Sequence, residues 1–189
     1  MSSLREAAVA LFQKLDRLGI AYAIGGSFAS SVHGVARATQ DIDVVIDLQA
    51  KQVKDFCNAI SAEFYVDEGA VAEAVTRGRS FNVIHFEAGL KIDLFVASRH
   101  PLGSDQLAHS RPEATAILGG EPIEVSVISA ADILLAKLLW YREGGEVSER
   151  QWNDIFNLVL TQGDRLPRDY LTLQAKRLGV SDLLVRLLS

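Results

Sequence analysis

An apolar run from Ile20 to Ile24 leads into Gly25-Gly26-Ser27, and fourteen residues after Ser27 comes Asp41-Ile42-Asp43 at the head of a second apolar run. Far downstream a lone Asp93 sits in Lys91-Ile92-Asp93-Leu94-Phe95. Carboxylates in strand-like apolar surroundings need a physical reason, because burying an unpaired charge is costly. Successive side chains on a strand leave opposite faces. Asp41 and Asp43 therefore share one face while Ile42, Val44 and Ile46 fill the other, and Asp93 alternates in the same way with Ile92 and Leu94. The three carboxylates converge only if their strands lie side by side in one sheet.

The residues around them suggest what such a convergence would serve. Ser27 to His33 predicts a helix, whose first amides carry no intrahelical partner and whose positive dipole end attracts anions. Glycine at 25 and 26 would let a phosphate come close to the backbone. Mg²⁺ prefers hard oxygen ligands and is usually held by one or two carboxylates together with substrate phosphates. Two such ions, about 3.5–4 Å apart, can stabilise the attacking and the leaving oxygen of a phosphoryl transfer. Taken singly the pieces have plainer readings: Ser27 can simply cap its helix, and a strand-end Asp can face water. In the order turn, spacer, carboxylate pair and third carboxylate they point to metal-assisted phosphoryl chemistry.

On these residues the chain resembles the nucleotidyltransferase superfamily with the DNA polymerase beta-like core. Ile24-Gly25-Gly26-Ser27 and Asp41-Ile42-Asp43 fit the family's hydrophobic-Gly-Gly/Ser, spacer, Asp-hydrophobic-Asp pattern, with the spacer at the long end, and Asp93 stands for its third carboxylate. Arg37-Ala38-Thr39-Gln40 is similar to the Arg-x-Thr-x-Asp variant. The likeness is strongest over residues 20 to 96 and looks most like the AbiEii-type toxin-associated and minimal nucleotidyltransferase branches. It implies an α/β (α+β) nucleotidyltransferase fold, with a mixed β-sheet flanked by helices and a C-terminal helical subdomain. It also implies two Mg²⁺ ions on Asp41, Asp43 and Asp93, and an NTP such as ATP oriented by Gly25, Gly26 and Ser27. The expected reaction moves an NMP to an acceptor hydroxyl and releases pyrophosphate. The acceptor stays open among an RNA end, a protein side chain and an aminoglycoside-type antibiotic. A nucleotide-binding regulator or antitoxin-like partner that kept the fold without turnover is the non-enzyme alternative.

Composition agrees with a compact enzyme: 49% of the 189 residues are hydrophobic and 23% charged, enough for one substantial core. A net charge of -5 argues against a broad non-specific nucleic-acid surface, while leaving room for a local basic groove. The single cysteine excludes an intramolecular disulfide, and Cys57 shares an apolar stripe with Val53, Phe56 and Ile60, the setting of a packed thiol. With no apolar run of membrane-spanning length, a cytoplasmic protein is expected.

Periodicity predicts an amphipathic helix over 3–18 ending at Gly19, further helices over 49–60 and 68–76, and a β-hairpin of 81–86 with 91–96 turning at Gly89. That hairpin puts Asp93 on an antiparallel strand. His85 lies among apolar residues and reads as packed, and Arg77 and Arg79 can face a substrate or simply water. The stretch 99–120, rich in Pro and Gly, predicts a connection with some short helix, and 123–128 a last strand.

A catalytic core is therefore expected over 1–128 and helices over 129–189. The latter open with Ser129-Ala-Ala-Asp132, a capping-box start with Asp in the Glu position. The next helix, 133–141, is apolar nearly all round, so Lys137 needs a partner or must reach out to water. The resemblance suggests that Lys137 contacts phosphate. Arg37 is a second candidate phosphate contact, or else an exposed arginine. Trp152, Ile155, Phe156 and Val159 predict an apolar helix face, with Arg150 and Asp154 spaced to pair. The leucines at 183, 184, 187 and 188 predict packing helices or an oligomer contact.

Overall fold

Two neighbouring parallel strands organise the molecule. The computed structural model describes residues 4–34, 41–116 and 118–188. Among them, β1 (Tyr22–Ile24), β2 (Ile42–Ile46), β3 (Phe64–Tyr65), β4 (Ser80–His85), β5 (Leu90–Val96), β6 (Arg111–Thr115) and β7 (Ile123–Val127) form one sheet in the order β3-β4-β5-β2-β1-β7-β6. β2 runs parallel to β5 and β1 parallel to β7, while the remaining neighbours are antiparallel. The β4–β5 hairpin turns at Gly89, whose φ of +60° is the left-handed conformation glycine adopts without steric cost.

One face of β2, β5 and β4 is apolar. Ile42, Val44 and Ile46 lie beside Ile92, Leu94 and Val96, and all six are buried. Phe81 of β4 pairs with Leu94 and meets Phe56 edge-on. Phe56 belongs to α3 (Val53–Ile60), which with α1 (Leu4–Arg17) and α4 (Glu68–Arg77) packs there. Cys57 is buried, and burial pushes its thiol up to about 11, as a packed cysteine requires. On the opposite face α2 (Gly26–His33), the short α5 (Gly103–Ala108) and α6 (Ala130–Glu143) cover the β1–β2 side. There Phe95 stacks at a tilt on Trp140 of α6.

The chain ends in α7 (Glu149–Gln162), α8 (Arg168–Leu178) and α9 (Ser181–Leu188). These helices join the same continuous hydrophobic core as the sheet. Leu183, Leu184 and Leu187 are buried within the chain. Arg142 of α6 grips Asp182 at 2.6 and 2.7 Å, and Arg186 lies 4.3 Å over the ring of Trp152.

The predicted helices, hairpin and last strand are present, with differences of physical interest. The stretch 99–120 carries an additional strand, β6, paired with β7 at the sheet's edge. Pro112 lies within it, and an edge strand tolerates the missing N–H that a central strand would not. β3 is only two residues long, too short for a period to register. The helix expected from residue 49 opens with a 3₁₀ turn, Ala50–Gln52. Phe156 is 45% exposed, and the buried residues of α7 are Ile155 and Leu158.

Asp132 is the most deeply placed charge. It is fully buried at the predicted helix start, where only the N-cap half of the expected capping box forms: its N–H donates to Ser129 Oγ at 3.1 Å, while its carboxylate accepts from the Ser129 hydroxyl at 2.6 Å rather than from the Ser129 backbone N–H. Tyr170 of α8 donates to the same carboxylate at 2.5 Å, and His109 Nδ1 lies 3.0 Å from it. Burial and the bond to Asp132 push the Tyr170 phenol well above its usual range. Removing one donor from a buried acceptor leaves it partly desolvated, which costs about 1–3 kcal/mol. Tyr170→Phe is therefore expected to lower unfolding stability by about that amount in urea titrations, with the folded circular dichroism spectrum unchanged.

Candidate active site

The β2–β5 register decides the geometry. Asp43 lies directly beside Asp93, and each follows a buried isoleucine, so both carboxylates emerge together on the face left open by α1, α3 and α4. Adjacent strands are about 4.8 Å apart, which places two like charges within strong mutual influence. Asp41, one residue before β2, is exposed and by alternation belongs to the same side. Asn82 of β4 sits opposite Asp93 and continues the row outward.

From the other direction the glycine turn closes on Asp43. The Gly25 N–H donates to the Asp43 carbonyl at 2.8 Å, extending the β1–β2 ladder by one residue. Gly26 then turns the chain into α2 with φ +53°, and a Cβ at this position would lie 1.8 Å from Asp43 Oδ2. Glycine is needed there both for the dihedral and for the space. The Ser27 N–H, in the first turn of α2, bonds to the Asp43 carboxyl. An amide end of a helix is thus aimed at the carboxylates.

The balance of these forces is visible in Asp43, whose carboxyl is pushed up to about 6. Burial is the largest cause, followed by the charges of Asp93 and Asp41. The Ser27 N–H and Lys91 oppose the shift without cancelling it. Lys91 precedes Asp93 by two residues on β5, and its ammonium donates to both carboxylate oxygens, at 2.7 and 3.0 Å.

Lys137 projects from α6 toward the same corner. With Gly25, Gly26, Asp43, Ile128 and Trp140 it lines a cavity of about 20 Å³, room for roughly one water. Its side chain is 14% exposed, and its ammonium stands 3.7 Å from Asp154 Oδ2 of α7. Asp154, spaced to pair with Arg150, thus faces Lys137. His33, at the far end of α2, places Nε2 2.7 Å from the Ile128 carbonyl and ties that helix to the end of β7.

Of the residues singled out from sequence, Gly25, Gly26, Ser27, Asp41, Asp43 and Asp93 meet at one corner with Lys137 behind it. Arg37 lies outside the described residues. Arg77 pairs with Glu73 one turn back on α4 at 3.1 Å with both side chains exposed, and His85 is buried edge-on against Phe64 as a packed residue. Tyr141 is a core aromatic whose hydroxyl donates to the Glu146 carbonyl at 2.6 Å. Lys91, Asn82 and Asp154 were not foreseen. For Lys91 a signal existed: a spacing of two on a strand means a shared face.

Hard-oxygen carboxylates on adjacent strands, one of them pushed up to about 6 by burial and then by its charged neighbours, fit a divalent cation as the missing counter-charge. As the side chains stand, no group of three or more His, Cys, Asp and Glu among the described residues is gathered tightly enough to share an ion. Both oxygens of Asp93 instead accept from Lys91.

Solved structures place the fold among the nucleotidyltransferases. An antigenic nucleotidyltransferase-like protein from Paracoccidioides brasiliensis superposes with a TM-score of 0.54 at 19% identity, over 95% of this chain and 91% of its own. The solution structure of the antibiotic-resistance factor ANT(2'')-Ia gives 0.55 at 12% identity over 95% and 92%. The crystal structure of ANT(2'')-Ia in complex with adenylyl-2''-tobramycin gives 0.54 at 12% over 91% and 94%. At such identities the likeness is one of fold. Membership is decided by sequence: residues 10–172 match the family described as nucleotidyl transferase AbiEii toxin, Type IV TA system, and the chain belongs to that family. Among curated proteins none matches the chain in sequence. No helix among the described residues is long and apolar enough to cross a membrane.

Because the folded-state pKa of Asp43 is raised, the folded protein holds a proton there that the unfolded chain has released. Stability therefore falls as pH rises from about 4 to about 6, and the penalty is fully present above that window. Asp43→Asn, uncharged throughout, should melt higher than the wild type at pH 7–8 in EDTA. The gain should shrink to nothing near pH 4; a gain that is the same at both ends would remove the electrostatic explanation.

Proposed function

We propose that this chain transfers a nucleoside monophosphate from an NTP to the hydroxyl of an RNA end, with Mg²⁺ as the resident metal. The observation that carries the reading is the in-register pair Asp43 and Asp93 facing the Gly26–Ser27 turn. Asp41 and Asp43 would hold both ions and Asp93 the catalytic one; when bound, the ions supply charge neutralisation on the triphosphate and acidify the acceptor hydroxyl. Within the chain, the turn at Gly25, Gly26 and Ser27 orients the triphosphate beside Asp43, its glycines letting phosphate oxygens come close to the backbone. Lys137, held from behind by Asp154, adds a positive charge to them. Asp93 accepts the proton of the acceptor hydroxyl as its oxygen bonds to the α-phosphorus and pyrophosphate leaves. Residues 1–128 form the catalytic core in this reading, and 129–189 carry Lys137 to it. Rate enhancement comes from positioning and electrostatic preorganisation.

The acceptor reading rests on the sheet face beside Asp93. Tyr65 of β3 lies opposite Ile84 of β4, and Ile84 opposite Lys91 of β5, so one exposed row leads from the carboxylates to an aromatic ring 55% exposed. Phe86, 58% exposed, follows β4. Aromatic rings with a cation on an open sheet suit stacked bases and a phosphate. The net charge of -5 confines such binding to this local strip. Membership of a toxin–antitoxin family supports an antitoxin as partner, and a supply of NTP suits the cytoplasm.

Incubation with each α-labelled NTP, Mg²⁺ and cell extract is expected to label RNA. Asp93→Asn should keep the fold by circular dichroism and lose transfer by at least about a hundredfold. Label on a small solute would overturn the RNA acceptor, and retained transfer in the variant would remove Asp93 from catalysis. Bound NTP with no label anywhere would favour a regulator without turnover.

A further inference from the structure

A cation is already present at the carboxylate corner, and it belongs to the chain. Lys91 and Asp93 share the open face of β5, and the Lys91 ammonium engages both Asp93 oxygens, at 2.7 and 3.0 Å. Asp41 and Asp43 add their fields to that of Asp93 in holding Lys91 protonated. An ammonium that donates to both oxygens competes with a divalent ion for Asp93, since it takes up part of the carboxylate's acceptor capacity and the two positive charges repel. On the far side, Asp43 is bound by the Ser27 N–H and is fixed in place by the space that Gly26 leaves. Asp93 is therefore the carboxylate whose availability is governed by a side chain able to leave: Lys91 is half exposed, and an extended lysine reorients into water at little cost.

We propose that Lys91 is an internal counter-ion that competes with the metal for Asp93, offsetting the negative charge of the corner until a divalent cation displaces it and thereby raising the metal concentration needed for loading. The proposal rests on the reading of Asp41, Asp43 and Asp93 as metal ligands. Its logic is linkage: a contact made only in the metal-free protein weakens metal binding by as much as it stabilises that state. Lys91 is thus a positioning residue, acting through Asp93 on when the site fills, and the displaced ammonium is left beside Ile84 and Asn82 on the acceptor side.

The test is Mn²⁺ binding without nucleotide, followed by calorimetry and by the paramagnetic resonance signal of free Mn²⁺. Wild type, Lys91→Met, Lys91→Arg and Asp43→Asn are compared, with Lys91→Gln substituted should the Met variant lose its fold. Lys91→Met is expected to bind Mn²⁺ about tenfold more tightly. It should also melt lower than the wild type in EDTA and gain more in Tm on adding Mn²⁺. Lys91→Arg should return affinity toward the wild-type value, and Asp43→Asn should weaken it. Unchanged or weaker binding by Lys91→Met, with wild-type binding still lost in Asp43→Asn, would overturn the role of Lys91 and leave the metal reading standing. Absence of Mn²⁺ binding in both the wild type and a folded Lys91→Met would overturn the metal reading itself, and the proposal with it.

Discussion

Parallel pairing of β2 with β5 forces two carboxylates into the same row of one sheet, and the architecture around them is a response to that repulsion. Asp43 and Asp93 could be kept apart by slipping either strand one residue, but the slip would turn Ile42, Val44, Ile92 and Leu94 out of the core. Hydrophobic burial on one face therefore holds the charges together on the other. What offsets them is local and partial: an amide from α2, an ammonium from β5, and water at the open side. The raised pKa of Asp43 records its burial first and then the repulsion that remains uncompensated, and shifts of this kind are common where a site is built for a ligand of opposite charge.

Rigid support reaches this corner from behind. Phe95 and Trp140, with Val45 and Ile133, pack the sheet against α6, so Lys137 is carried on an element locked into the core. α2 is fixed at its end by His33 on the Ile128 carbonyl, and Gln162 of α7 donates to the His33 carbonyl. Groups held on packed helices and strands keep their positions better than groups on loops, which matters where catalysis depends on placement.

Much of this was legible in the residues because alternation is so regular. Asp41-Ile42-Asp43 and Ile92-Asp93-Leu94 each state which face is wet, and the glycine pair states where the chain must turn. The order of strands was not legible, since β2 and β5 are brought together by a register that no local spacing encodes. β6 escaped notice because Pro112 and the glycines around it speak locally for a connection, while pairing to β7 overrides them at an edge. Phe156 is placed on the buried face by its neighbours Ile155 and Val159, but while Trp152, Ile155 and Val159 do pack on the core, Phe156 sits at the edge of that face and Leu158 is buried instead. The partner of Lys137 was hidden for a similar reason: Asp154 is four residues from Arg150 along α7, yet α6 presents a cation to it from another part of the chain.

Asp132 joins residues that are far apart in the chain: Ser129 beside it, His109 before β6, and Tyr170 in α8. A carboxylate with no access to water cannot lose its donors one at a time without penalty. Over evolutionary time these four positions should drift as a set, so that a homologue with an uncharged residue in place of Asp132 would have abandoned the phenol and the imidazole as well.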